Sequence, residues 1–234
     1  MTVRCRLFWV LLFAVAMAWI EASVVLYLRT LVGRLEPYQP NPLPHFGTLG
    51  NVEIIREAAT LVMLFAVGRL AGSTPRRRWA FSLLAFGVWD LCYYLFLVPL
   101  TGWPTSLLGW DILFLFPVPW WSPVVAPLSI SLLLVIGGLL VVFFDRQESP
   151  LRPGKPAMIA GGTGIAFVLY SFMANAILVA GNGMEAVRQA LPVRFSWPFF
   201  LLGLVLSAIP VLDIIRQVLS RRWKGERTND GSCF

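Results

Sequence analysis

The chain has 234 residues, of which 58% are hydrophobic and only 13% charged, and its mean hydropathy is +0.74. Soluble domains run at roughly 45–50% apolar and about 25% charged residues, so the composition excludes an ordinary soluble enzyme and a disordered chain. Cys5, Cys92 and Cys233 lack the paired spacing of a disulfide scaffold, a zinc site or a redox CxxC. The net charge of +7 would suggest nucleic acid in a soluble chain. Here the basic residues sit in clusters between apolar runs, so orientation in a lipid bilayer explains them and no nucleic-acid partner is expected.

Crossing the hydrocarbon core takes about 20 mostly apolar residues, and the sequence offers six such runs in chain order. The first is Leu7–Leu28. Arg4 and Arg6 ahead of it, with Ala16-Met17-Ala18 inside it, resemble a signal peptide. The apolar stretch continues past that cleavage site, however, interrupted only by Glu21, which predicts an uncleaved spanning helix. Residues 29–53 follow as an outer loop with Pro37, Pro40, Pro42, Pro44 and the one histidine, His45. The next runs are Ile54–Leu70 and Trp79–Leu100. After the block 102–122 come Val124–Phe144, Met158–Ala180 and Trp197–Leu219. Barrel strands would alternate over about ten residues, and these runs are continuous, so helices are expected. Residues 1–220 therefore read as a single transmembrane bundle and 221–234 as a basic tail.

Orientation follows from Lys and Arg. One side collects Arg4 and Arg6, Arg69 with Arg76–Arg78, the group from Arg146 to Lys155, and the group from Arg216 to Arg227. The other side keeps Arg29, Arg34, Arg56, Arg188 and Arg194. The positive-inside rule places both termini in the cytoplasm. No repeat relates the two halves, which disfavours an inverted-repeat transporter.

The block between the third and fourth runs, TGWPTSLLGWDILFLFPVPWWSPVVAP, is too apolar for a solvated loop. It is also cut too often by proline for one spanning helix. A half-bilayer helix over Ser106–Phe116, ended by Pro117, would suit a re-entrant or interfacial segment on the outer face, with tryptophans at the membrane–water boundary. The expected fold class is all-α: a polytopic bundle of six transmembrane helices plus this outer segment.

The strings VEIIREAATLVML, WDLCYY and GWPTSLLGWDILFLFPVPW resemble a family of uncharacterised bacterial multi-pass membrane proteins. The resemblance spans about residues 50–127. It implies a bacterial inner membrane and supplies no catalytic residue.

Ionisable groups inside apolar runs are the candidate functional residues, since each costs on the order of 2.5–3.5 kcal/mol at a helix centre unless paired or hydrated. Glu21, Glu57, Asp90 and Asp111 stand out, with Arg56 nearby. Asp90 and Tyr94 are spaced i,i+4, as are Glu53 and Glu57, and Asn175 lies in the outer half of the fifth run. Together they would line an aqueous pocket for a small polar ligand, an ion or a lipid headgroup. The competing expectation is internal pairing of Arg56 with Glu57 or Asp90, holding the first three helices together. An alternative function is a membrane enzyme acting on a lipid or isoprenoid, with Asp90 or Asp111 as acid/base. A further alternative is a structural subunit of a membrane complex. A metal held by His45, Glu53, Glu57 and Asp111 is disfavoured by the single histidine. No cofactor motif is visible: Gly161-Gly162-Thr163-Gly164 follows no strand and precedes no Lys, so close helix contact explains it better than a nucleotide loop.

Overall fold

A computed structural model describes residues 2–33, 36–38, 47–146, 148–183, 186–187 and 194–229. His45, Pro40, Pro42, Pro44, Arg34 and Arg188 lie outside the described residues, as does the end of the chain after Asn229. The elements are α1 (Val3–Val32), α2 (Gly47–Ala71), α3 (Pro75–Thr101), β1 (Trp110–Ile112), β2 (Trp121–Pro123), α4 (Val125–Phe144), α5 (Lys155–Val179) with a single 3-10 turn after it, and α6 (Trp197–Asn229).

Local sequence explains most of the boundaries. Thr2 caps α1 by accepting from the Cys5 backbone N–H. At the other end Gly33 takes the left-handed conformation (φ 66°), and its N–H closes back on Arg29 and Thr30. Thr74 and Pro75 start α3 in the same manner, and Gly102 (φ 71°) ends it. α6 continues past Leu219 to Asn229, because Lys224, Glu226 and Arg227 are good helix formers and no proline stops them.

α1, α3, α4, α5 and α6 are each long and apolar enough to cross a membrane, so the chain is a multi-pass membrane protein built as a helical bundle. α2 has the length, at 25 residues, but carries Glu53, Arg56, Glu57 and Arg69. Large apolar side chains such as Ile20, Leu70, Ile159 and Leu178 are exposed around the bundle, a surface suited to lipid tails rather than water.

α3 is the central helix. It packs against α1, α2 and α4, and Phe81, Leu84, Ala85 and Leu97 on its faces are fully buried. α5 and α6 form a second unit joined to the first mainly through α4. There the glycine-rich stretch has the role expected of it. A Cβ on Gly164 would sit 2.6 Å from the Gly203 carbonyl oxygen, and a Cβ on Gly203 would sit 2.8 Å from the Gly164 oxygen. The two backbones therefore approach without side chains between them.

The block between α3 and α4 departs from the expected half-helix. Ser106–Phe116 is not helical; β1 and β2 pair antiparallel, with Asp111 opposite Ser122 and Ile112 opposite Trp121. Beyond the strands, Leu113 N–H donates to the Trp120 carbonyl and Val124 N–H to that of Gly109. Prolines at 117, 119 and 123 remove the N–H groups that a continuing helix or a longer ladder would need. A hairpin instead satisfies the backbone locally while Trp121, Ser122 and Asp111 are buried between the helices.

The hairpin defines one end of the bundle, where α1 and α3 finish and α2, α4 and α6 begin. At the opposite, terminal end lie the start of α1, the α2–α3 turn and the α4–α5 linker. Arg6 donates to the Ala71 carbonyl there, and Arg76 pairs with Asp145.

Candidate functional site

The ionisable residues expected to form one pocket separate into four groups. Glu21 of α1 accepts from Arg56 of α2, which also holds Glu53 one turn earlier through Nε at 2.9 Å. Thr60 contacts the same Glu21 oxygen at 3.4 Å. Arg56 thus bridges two acids, and its partners are Glu21 and Glu53 rather than the expected Glu57 or Asp90.

Asp111 sits on β1 and is 1% exposed. Arg29 at the end of α1 donates to its Oδ1 at 3.1 Å, and the Tyr94 hydroxyl of α3 donates to its Oδ2 at 3.0 Å. Arg29 also lies over the Trp103 ring, 4.4 Å from its centroid, so a cation–π contact adds to the ion pair. Burial pushes the Asp111 carboxyl above the usual carboxylate range, while the Arg29 charge and the Tyr94 hydroxyl act against that rise. One hairpin side chain therefore ties α1 and α3 together.

Glu57 also serves the hairpin. The Leu115 backbone N–H, which has no strand partner, donates to both carboxylate oxygens at 3.0 and 3.2 Å. Among the described residues Glu57 makes no ion pair. Asp90 forms the last group: it accepts from the Ser131 hydroxyl of α4 at 2.7 Å. Although Asp90 and Tyr94 share a face of α3, they turn to different partners. Asn175 lies apart from the acids on α5, in the unit formed with α6, whose aromatic cluster includes Phe172, Phe195 and Phe200.

Between α1, α2 and the hairpin is a cavity of about 140 Å³. Glu57 and Asp111 line it, together with Arg29, Glu53 and Tyr93, which were not among the candidate site residues. Val25, Leu28, Val32, Leu49 and Ile112 supply its apolar walls. Glu21, Arg56, Asp90 and Tyr94 stand outside this lining. Among the described residues no three His, Cys, Asp or Glu side chains converge where a metal ion would sit.

Comparison with protein-family models, with curated proteins and with solved structures finds no match for this chain.

Asp145 is a further buried acid, which the sequence did not single out. It follows the fourth apolar run, where an acid beside Arg146 looks like an ordinary interfacial charge. It is 1% exposed; Arg76 Nε and the Leu151 N–H both donate to its Oδ1, at 3.0 and 2.9 Å. Asp213 of α6 accepts from the Gly154 N–H at 2.8 Å and so ties the start of α5 to α6.

Proposed function

We propose that this chain is a six-span protein of a bacterial inner membrane that binds or transports a small polar ligand, an ion or a lipid headgroup in the cavity between α1, α2 and the hairpin. The carrying observation is that cavity: charged and apolar groups line one space, and about 140 Å³ is an order of magnitude more than the roughly 10–15 Å³ one water needs. Binding sites in helical bundles combine apolar walls with a few convergent polar groups in this way.

The sixth span is α2. Its charges stand at its ends: Glu53, Arg56 and Glu57 near the hairpin and Arg69 near the terminal end. Arg56 pairs with Glu53 and with Glu21 of α1, and Glu57 accepts from the Leu115 N–H, which lowers the cost of placing these groups at membrane depth. The hairpin then lies in the outer leaflet, where non-helical backbone is tolerated only if buried in protein. Both termini are cytoplasmic on the positive-inside rule, and the resemblance of residues 50–127 to bacterial multi-pass proteins supports the inner membrane.

Two measurements test this. A reporter active only outside the cytoplasm is expected to be silent when fused after Arg221 and active when fused after Gly33; the reverse pattern would refute the orientation. Native mass spectrometry of the protein purified with lipid is expected to retain a small ligand or lipid that Leu49→Trp, which fills the cavity, releases.

A further inference from the structure

The contents of the cavity specify a ligand class, and this inference rests on the binding reading above. Among the described residues three carboxylates (Glu53, Glu57 and Asp111) and one guanidinium (Arg29) line the space, so this lining favours positive charge. Two of the carboxylates already have cations: Glu53 has Arg56 and Asp111 has Arg29. Among the described residues Glu57 has only the Leu115 N–H. A buried carboxylate normally gains a charged partner or several donors, and one backbone N–H leaves most of its acceptor capacity unused.

Tyr93 is an independent observation. It is 9% exposed and lines the same cavity, with ring contacts to Trp89 and Tyr94. Its hydroxyl makes no hydrogen bond among the described residues, whereas its neighbour Tyr94 is held by Asp111. The hydroxyl is not one of the sealed, partnerless polar atoms of the interior; it keeps accessible surface where Tyr93 lines the cavity, and a ligand there would supply a partner. The remaining walls, Val25, Leu28, Val32 and Leu49, suit a short hydrocarbon substituent.

We propose that the cavity takes an organic ammonium with a short apolar substituent, with Glu57 as counter-ion and the Tyr93 hydroxyl as the second polar contact. An anion would meet three carboxylates and an arginine already engaged by Asp111. A bare divalent metal would need several carboxylates converging, and no three do so among the described residues. The ammonium has two chemical sources: a free amine from the aqueous side, or the headgroup of an aminophospholipid.

The test uses the full chain in neutral detergent, with thermal unfolding followed in n-butylammonium chloride, n-butanol and sodium butyrate at matched ionic strength. Butylammonium is expected to raise the melting temperature saturably, and the other two are not. Glu57→Gln should weaken the apparent affinity roughly ten- to hundredfold, the range for a lost charged hydrogen bond. It should leave the unliganded protein as stable as before, because the glutamine oxygen still accepts from Leu115. Tyr93→Phe should weaken binding about two- to tenfold. If Glu57→Gln does not fold, Leu49→Trp serves as the blocked form and should abolish the shift. Retention of phosphatidylethanolamine over phosphatidylcholine in native mass spectra, lost in Glu57→Gln, assigns the ammonium to a lipid. A butylammonium shift without that preference assigns it to a free amine. Equal stabilisation by butyrate or butanol overturns the ammonium class and leaves the binding reading standing. No shift with any of the three, and spectra identical for wild type and Leu49→Trp, overturns both.

Discussion

The two ends of the bundle use the same residue types to different effect. At the terminal end Asp145 is held by three donors: Arg76 and the Leu151 N–H take its Oδ1, and Arg77 takes its backbone carbonyl. Leu151, Ile214 and Val218 form an apolar cluster beside it, so this network locks the α4–α5 linker onto α3. At the hairpin end, Glu21, Glu53 and Asp111 are similarly committed to Arg56 and Arg29, yet Glu57 and Tyr93 are left facing a cavity. Charge buried near a membrane is therefore not by itself a sign of a site. The distinguishing feature is unused hydrogen-bonding capacity beside open space.

The largest effect is expected from Asp145→Ala. It leaves the Leu151 N–H without an acceptor and Arg76 without its acid, so a loss of about 3–5 kcal/mol is expected, read as a large fall in detergent melting temperature. Asp145→Asn should lose less, since it can still accept from Leu151. A stable Asp145→Ala would mean that the terminal end is not the locked one.

At the hairpin end, Arg56→Met should cost about 2–3 kcal/mol, because it strands Glu21 in a buried position. Adding Glu21→Gln should restore part of that loss, with a coupling of roughly 1–2 kcal/mol in a double-mutant cycle. Combining Arg56→Met with Asp90→Asn should be additive, since Arg56 does not touch Asp90. Coupling to Asp90 instead would redraw the ion-pair map.

Smaller still is the expected cost of Glu57→Gln and Asp90→Asn, each within about 1 kcal/mol, since both amides can keep the one hydrogen bond that the acid makes. The two variants should then part in binding. Glu57→Gln is expected to lose the butylammonium shift and Asp90→Asn to keep it. Matching losses in both would mean that the site extends to Asp90, between α3 and α4.

The spanning helices were legible because a bilayer demands about 20 apolar residues in a row, and that requirement is written locally. Gly164 was legible for a related reason: small residues in an apolar run mark close backbone approach. The hairpin was half legible. Its prolines excluded a spanning helix, but the pairing of Asp111 with Ser122 needs the turn at Phe114–Trp120, which carries no Asn-Gly or Asp-Gly signal. For the site, Glu57 and Asp111 were singled out as costly charges and both line the cavity. Arg29 was legible only as a basic residue of the outer side, and Tyr93 beside Tyr94 carried no signal that it would line the cavity.

By itself, then, the sequence determined the class of object: a polytopic helical membrane protein with a few acids placed where lipid would penalise them. Hydropathy and run length act over neighbouring residues, so no partner is needed to read them. Which acid meets which arginine was decided only in three dimensions. Arg29 and Asp111 are 82 residues apart and Arg56 and Glu21 are 35 apart, and all four side chains could have reached several others at the same depth. The hairpin settles part of the choice by seating Asp111 against Arg29 and Tyr94, and the Leu115 N–H against Glu57. The helices α1 and α2 settle the rest by holding Glu21 and Glu53 on Arg56. Among the described residues Glu57 is the one of these four carboxylates without an arginine, and it opens on the cavity.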